Sequence, residues 1–281
     1  MRAKDLAVQN FSIAEHLLQL HQMFRDLKPY QAGHDYVLAV CSALELPEDA
    51  AVIHARNSHM AFSAHGAVSM PSCLTAPQGM DFLLRQSVLV ACSALESFFW
   101  DVLRENALTV VKAKGRRADE SLRNVTLTLD DYLSLEDYSD QDERLKEIIL
   151  NRFERGTLYD SSKIDEIVEI LTVKNFWREV TRETGLDEAD IRKRLTALIK
   201  RRNDITHRAD RPKDGTPPEE IDAHGLRSMS YAWASTHVTN AKTFVIAGSD
   251  VIGRAVVQLE QIINQKEEQK LSSQTQFPPS P

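Results

Sequence analysis

The residue types best suited to catalysis lie close together in the segment Arg202-Asn203-Asp204-Ile205-Thr206-His207. An arginine guanidinium is a planar fork that can donate hydrogen bonds to two phosphate oxygens at once. A histidine imidazole can take or donate a proton near neutral pH, as a general base or acid does. The pair therefore indicates chemistry at a phosphate group, provided that the fold brings both side chains to it.

The spacing of apolar residues predicts a helix over residues 188–208, with Asp187 as its N-cap. On that helix one arc is apolar, and Arg202 projects near its centre. The arc contains Ile191, Leu195, Leu198, Ile199 and Ile205. A buried guanidinium needs an acceptor. Two interpretations stay open: a salt bridge within the protein or between subunits, or an arginine that faces a cleft or dimer seam and binds phosphate.

His207 follows Arg202 by five residues, which places it about 140° further around an ideal helix. Asn203, four residues before His207, shares its side of the helix. One regular helix would therefore not direct Arg202 and His207 at the same small group. Either the helix loosens near Arg208, or a second copy of the helix supplies part of the site.

Basic residues are concentrated around this segment. Between Arg192 and Lys213 there are nine Lys or Arg and two acids, although the whole chain has a net charge of −7. A local basic stripe on an acidic protein is typical of a polyanion-binding surface. A solvated helix face is the alternative that charge alone leaves open.

The bulk composition describes an ordinary globular protein. Of 281 residues, 42% are hydrophobic and 27% charged, and the ten Gly and ten Pro are few, which favours helices. No stretch approaches the ~20 uninterrupted apolar residues of a membrane span, and the N-terminus does not resemble a secretory signal. The three widely spaced cysteines predict buried thiols in a reduced cytoplasm.

Apolar periodicity and turn signals predict an all-α helical bundle. The expected helices cover 5–28, 34–45, a segment beginning at Pro47, 81–114, 142–154, 161–183, 188–208 and a final stretch within 219–266, in which Gly225 and Gly248 are candidate positions for a break. The expected domains are an N-terminal helical region of unknown role (1–75), a main helical domain (76–266) and a disordered polar tail (267–281).

Residues 201–210, RRNDITHRAD, resemble the signature of the HEPN superfamily, which is Arg, then Asn, Asp or His, then three variable residues and His. An upstream helix reading LVACSALESFFWDVL and a long final helix make the arrangement similar to the RiboL-PSP-HEPN branch. The resemblance covers about residues 80–265 and leaves residues 1–75 unexplained.

The resemblance implies a metal-independent endoribonuclease that needs no cofactor and works as a homodimer with a composite active site. The ribose 2′-OH would attack the phosphate, giving a 2′,3′-cyclic phosphate and a 5′-OH. His207 would move the proton, Arg202 would stabilise the transition state, and Asn203 would orient His207 or bind phosphate. Lys200, Arg201, Arg208 and Arg211 would guide RNA, and Glu96 is a supporting candidate.

Such a protein is expected to act as a toxin or anti-phage effector, with an inhibitory or regulatory protein partner. A non-catalytic HEPN module that binds nucleotide, RNA or a protein is the alternative. A plain helical oligomerisation domain with a chance motif is a weaker one.

Other constellations are discounted. The histidines and cysteines of the N-terminal third match no metal-site spacing, so no metal site is predicted. They are His34, Cys41, His54, His59, His65 and Cys73. Ser235 and His237 lie too close in sequence to suggest a catalytic triad. Phe98, Phe99 and Trp100 fit a core better than a base-stacking platform.

Overall fold

The computed structural model describes residues 2–24, 34–47, 51–55, 60–64, 79–118, 128–153, 161–222 and 224–275. Helices dominate these residues, which confirms the all-α prediction. They are α1 (Arg2–Phe24), α2 (His34–Ala43), α3 (Asp81–Lys114), α4 (Leu129–Asp137), α5 (Gln141–Phe153), α6 (Ser161–Ile170), α7 (Phe176–Thr184), α8 (Glu188–Arg208) and α9 (Tyr231–Thr275). Short 3₁₀ turns cover Gly115–Arg117 and Pro218–Glu220.

A small hairpin replaces the helix that we predicted from Pro47. Strands β1 (Ala51–Ala55) and β2 (Met60–Ala64) pair antiparallel, with Ala51 opposite Ala64 and Ala55 opposite Met60. The adjacent β-branched residues Val52 and Ile53 explain the difference, because they favour extended backbone. The acidic start at Glu48 and Asp49 was a weaker signal than this local preference.

The predicted helix over 161–183 is wrong in one respect, because it consists of two helices. Thr172 and Asn175 have φ angles of 59° and 55°, in the left-handed region that a right-handed helix cannot include. The Val173 amide donates to the Val168 carbonyl over 2.9 Å and so closes the end of α6. Helix α7 then starts at Phe176.

The last helix begins within the predicted stretch but ends beyond it. It begins at Tyr231, after Ser230, whose hydroxyl accepts a hydrogen bond from the Trp233 amide over 3.1 Å. It runs through Gly248 without a break and reaches Thr275. The disordered tail that we predicted from residue 267 is therefore helical up to Thr275, and residues 276–281 lie outside the described part.

The chain forms two compact units, each assembled from separated segments. The first contains residues 1–10, 92–200 and 239–281, and the second contains residues 11–91 and 201–238. This division by compactness differs from the boundary expected near residue 75, which stays a prediction.

An aromatic cluster forms the core of the first unit. Phe99 and Phe244 are 1% exposed or less, and their ring centroids lie 5.9 Å apart. Phe176 and Trp177 pack edge-on against each other beside Phe244. A Cβ on Gly248 would lie 3.2 Å from the Phe176 ring, so the glycine permits this close approach. Phe98 and Phe99 are buried, as predicted.

Helices α1, α3 and α9 contribute to the second unit. His21 and Asp81 are both buried, and His21 Nε2 lies 3.1 Å from Asp81 Oδ1. The His21 ring stacks on Tyr231, with centroids 6.0 Å apart. Apolar side chains complete the core of this unit, among them Phe11, Leu84, Val88, Ala234 and Val238. The contact between His21 and Asp81 joins the second half of α1 to the first turn of α3.

Helix α3 is the one described helix that is long and apolar enough to cross a membrane. Of its most apolar stretch, 61% is buried inside the protein, as in the core helix of a soluble protein. Cys41 and Cys92 are buried thiols, as predicted, and Cys73 lies outside the described residues.

Candidate active site

Helix α8 carries the motif and forms where the sequence predicts it. Asp187 caps its start, since one carboxylate oxygen accepts from the Ala189 amide over 2.9 Å. Four apolar residues are buried along one side, namely Ile191, Leu195, Leu198 and Ile199. The helix stays regular to Arg208, so the motif occupies its last two turns.

Arg202 and Asn203 are in contact. Arg202 Nη1 donates to Asn203 Oδ1 over 3.0 Å, and both residues are half-buried. The Thr206 hydroxyl donates to the Arg202 carbonyl over 3.0 Å. Asn203 thus holds the guanidinium of Arg202 near the helix surface, which adds an orienting role for Asn203 that the sequence did not suggest.

His207 is exposed and lies in the final turn of α8. Because the helix remains regular through Arg208, about 140° around the axis separates His207 from Arg202. The loosening that would have brought the two together does not occur within the motif. A single chain therefore presents Arg202 and His207 on different sides.

Arg201, the residue before the motif, is internal. Its side chain is 10% exposed, and Nη2 donates to Asp210 Oδ2 over 2.8 Å and to the Arg227 carbonyl over 2.9 Å. Burial lowers the pKa of Arg201, as do the positive charges of Arg227 and Arg85, against the opposing effect of Asp210. Of the four cations predicted to guide RNA, Lys200, Arg208 and Arg211 are exposed.

Arg85 of α3 joins Arg201 in what we call the buried charge cluster: Arg85, Arg201, Asp210 and Asp222. Arg85 Nε donates to Asp210 Oδ2 over 2.8 Å, and Nη2 donates to Asp222 Oδ2 over 2.6 Å. The side chain of Arg85 is 8% exposed and both carboxylates are fully buried. Burial alone would lower the pKa of Arg85, but the two aspartates outweigh it, so the pKa lies above its usual value.

Two left-handed residues end α8 immediately after the motif. Ala209 and Asp210 have φ angles of 49° and 55°, and the Asp210 amide donates to the Asp204 carbonyl over 3.0 Å. Asp204, inside the motif, also accepts from Arg227 Nη1 over 2.7 Å. The motif helix is thus joined by backbone and ion-pair contacts to the loop that follows it.

The Asp222 side chain stabilises the loop after α8 by hydrogen bonds to backbone amides of that loop. Its Oδ1 accepts from the His224 and Leu226 amides over 2.8 and 3.0 Å. The pKa of Asp222 would be raised by burial, but these amides and Arg85 stabilise the carboxylate more strongly, so its pKa is lowered. The Arg227 amide donates to the Asp210 carbonyl over 2.9 Å, which closes the loop onto the end of α8.

Comparison with known families decides the classification. A family model for RiboL-PSP-HEPN matches residues 64–232, more than half of the chain. The chain belongs to the RiboL-PSP-HEPN family. The matched region begins before and ends earlier than the 80–265 that we predicted, and it includes the whole HEPN motif. No curated protein and no solved structure matches the chain. Membership of a HEPN family suggests a function related to RNA.

The sequence patterns did not identify Arg85 and Asp210, the buried ion pair next to the HEPN motif. Arg85 was visible as a charge between Leu84 and Val88 on the apolar side of α3. Its partner Asp210 lies 125 residues away. A periodicity pattern identifies a buried charge but carries no information on so distant a partner.

The other candidates have the following positions. Glu96 is half-buried on α3, in the first unit. His237 Nδ1 lies 2.8 Å from the Trp233 carbonyl, and its ring stacks on Trp233. Within the described residues no group of three or more His, Cys, Asp or Glu could hold a metal ion. His59, His65 and Cys73 lie outside those residues.

Proposed function

We propose that this HEPN protein is a metal-independent endoribonuclease that works as a homodimer. The observation that carries the proposal is the complete Arg202-Asn203-His207 set at the end of a regular helix in a RiboL-PSP-HEPN chain. A scaffold needs none of these three side chains, whereas phosphodiester cleavage can use all three.

The separation of Arg202 from His207 supports a composite site. On a regular helix the two side chains leave the axis about 140° apart, so we do not expect them to meet on one small group, whereas two helices that face each other could supply one residue each. Arg202 of one protomer would then lie opposite His207 of the partner subunit. Arg202 is half-buried and His207 exposed in one chain, so both can contribute to such a seam.

The chemistry follows from the residue types. The ribose 2′-oxygen attacks phosphorus as its proton leaves, and the bond to the 5′-oxygen breaks as that oxygen gains a proton. His207 takes or donates one of these protons. Arg202 binds the non-bridging oxygens and stabilises the added negative charge of the transition state. Asn203 holds Arg202 by the observed hydrogen bond. The products are a 2′,3′-cyclic phosphate and a 5′-hydroxyl.

The RNA strand would be guided by the exposed cations Lys200, Arg208 and Arg211. We exclude Arg201 from this role because its guanidinium is committed to Asp210 and to backbone carbonyls. Glu96 remains a candidate for a supporting role. A cytoplasmic toxin or anti-phage effector, restrained by a protein partner, is the biological setting that we propose.

The test is RNA cleavage in the presence of EDTA. We expect the wild-type protein to cleave RNA under chelation, and His207→Ala to reduce the rate by about 10²- to 10⁴-fold. The matched control is His16→Ala, since His16 is an exposed histidine on α1. A substrate with 2′-deoxyribose at the cleaved position should resist.

Two results would contradict the proposal that this protein is a ribonuclease with its active site at the HEPN motif. Cleavage that His207→Ala leaves intact would show that the HEPN motif is not catalytic. Binding of RNA or nucleotide by the wild type with no cleavage of any RNA would instead support the non-catalytic HEPN module.

A further inference from the structure

We infer that Arg85 and Asp210 are positioning residues that hold the HEPN motif in its working geometry. This inference rests on the proposed function. Neither residue is in the motif, and both belong to the buried charge cluster, which also contains Arg201, the residue directly before the motif. They act on cleavage through helix α8, whose last two turns carry Arg202 and His207.

The contacts converge on one carboxylate oxygen. Asp210 Oδ2 accepts from Arg85 Nε and from Arg201 Nη2, each over 2.8 Å. Arg201 precedes Arg202 directly, and Asp210 follows His207 by three residues. The motif is therefore bracketed on both sides in sequence by residues that bind each other, and Arg85 of α3 fixes the pair.

The end of α8 needs this support. Ala209 and Asp210 adopt left-handed backbone conformations that L-residues rarely take, and neither is glycine. Such conformations persist only where surrounding contacts impose them. The bonds from Arg85 and Arg201 to Asp210 act there together with the backbone bonds that Asp210 makes to Asp204 and Arg227, so they help to fix where the helix stops and how its last turn is oriented.

A contribution to the free energy of unfolding does not by itself explain why four charged side chains are buried here. Replacing a buried ion network by well-packed apolar residues is often neutral or stabilising. Here the network joins α3, α8 and the loop as far as Arg227, whose carbonyl accepts from both Arg85 and Arg201. Because hydrogen bonds and ion pairs depend on direction, the network favours one arrangement of these elements. A site that is completed by a second copy of the chain needs such a fixed arrangement.

Arginine is needed at position 85 because of its shape. Its fork binds Asp210 through Nε and Asp222 through Nη2. A lysine keeps the charge but has one ammonium group, so it cannot reproduce both bonds with the same geometry. Arg85→Lys therefore loosens the end of α8 while it leaves the cluster neutral.

The experiment measures cleavage and local hydrogen exchange in full-length Arg85→Lys and Asp210→Asn, at a temperature where circular dichroism shows folded protein. We expect kcat to fall by about ten- to a hundredfold with KM within about twofold. Amide exchange in peptides covering 202–211 should become faster. The matched control is Arg192→Lys, which disturbs a paired arginine bound to Asp165 in the first unit. This control variant should change neither kcat nor the rate of amide exchange at residues 202–211.

Unchanged exchange at 202–211 in both variants would overturn the inference, as would a folded variant with wild-type kcat. If Arg85→Lys fails to fold, Asp222→Asn replaces it, because it removes one bond of Arg85 and keeps Asp210. If the wild-type protein does not cleave RNA, the proposed function fails. The exchange measurement still decides whether Arg85 and Asp210 hold the motif helix.

Discussion

Arg202 and His207 lie on one unbroken helix but on different sides of it. Arg202 is half-buried and bonded to Asn203 Oδ1 over 3.0 Å, whereas His207 is exposed in the last turn. Because about 140° around the helix axis separates them, we do not expect one chain alone to direct both side chains at one phosphate. The proposed chemistry therefore uses two chains, each of which supplies one of the two side chains.

The exposed cations should determine how RNA binding depends on salt. Replacing Arg208 or Arg211 by Gln removes one phosphate contact, so the slope of log K against log salt should become smaller in magnitude by about 0.7 for a single strand. Binding of a non-cleaved 2′-deoxy oligonucleotide at several salt concentrations measures this slope. The control is Arg182→Gln on α7, which should leave the slope unchanged. Equal slopes in all variants would exclude these cations as RNA contacts.

Asp222 should contribute stability that disappears in acid. Its folded pKa is lowered, so the stabilisation is fully present above the pKa of about 3.9 in the unfolded chain. It is lost as the pH falls through the lower pKa of the folded state, where the carboxylate gains a proton. Asp222→Asn should cost about 1–3 kcal/mol at neutral pH, from lost charge-assisted hydrogen bonds.

Urea unfolding of both proteins at a series of pH values checks this. The difference in unfolding free energy between wild type and Asp222→Asn should shrink as the pH falls below about 4. A difference that stays constant across that range would show that the ionised carboxylate of Asp222 is not the stabilising group.

Ala209 is a place where a substitution should stabilise the protein. Its φ of 49° costs a residue with a side chain about 1 kcal/mol, and glycine relieves the strain at the position after a helix where it is most common. Ala209→Gly should raise the unfolding free energy by up to about 1 kcal/mol. The control Ala197→Gly, inside α8, should lower it by about 1 kcal/mol. If both variants lose stability, the left-handed position is not strained.

Local signals in the sequence were enough for the motif helix. The N-cap at Asp187, the apolar spacing from Ile191 to Ile199 and the basic end at Arg208 predict α8 as observed. The family resemblance then identified Arg202, Asn203 and His207 as the candidate site. All of these signals lie within about twenty residues of one another, which is the range over which periodicity and capping act.

Features that depend on how the chain folds back on itself, or on single residues with left-handed backbone, were missed. Nothing near Arg201 indicates that its guanidinium turns inward to Asp210, because the bond forms only when the loop folds back over the end of α8. The hairpin of β1 and β2 depends on pairing between two short strands, and the local preference of Val52 and Ile53 for extended backbone was given too little weight against the acidic start. The break after α6 requires left-handed backbone at Thr172, where a β-branched side chain disfavours it, and at Asn175, whose residue type permits it without requiring it.

The central claim is a composite site made by two subunits, and a purified heterodimer tests it most directly. Arg202→Ala and His207→Ala chains with different tags are co-expressed, and the mixed dimer is isolated by both tags. It keeps Arg202 in one chain and His207 in the other, so one Arg–His pair across the seam is complete. The control dimer pairs Arg202→Ala with the Arg202→Ala/His207→Ala double variant and has no complete pair.

We expect the mixed dimer to cleave RNA at least about tenfold faster than either single-variant homodimer and the control dimer, since the lost general acid or base is restored. A mixed dimer as inactive as its parents, beside an active wild-type protein, would contradict the composite site.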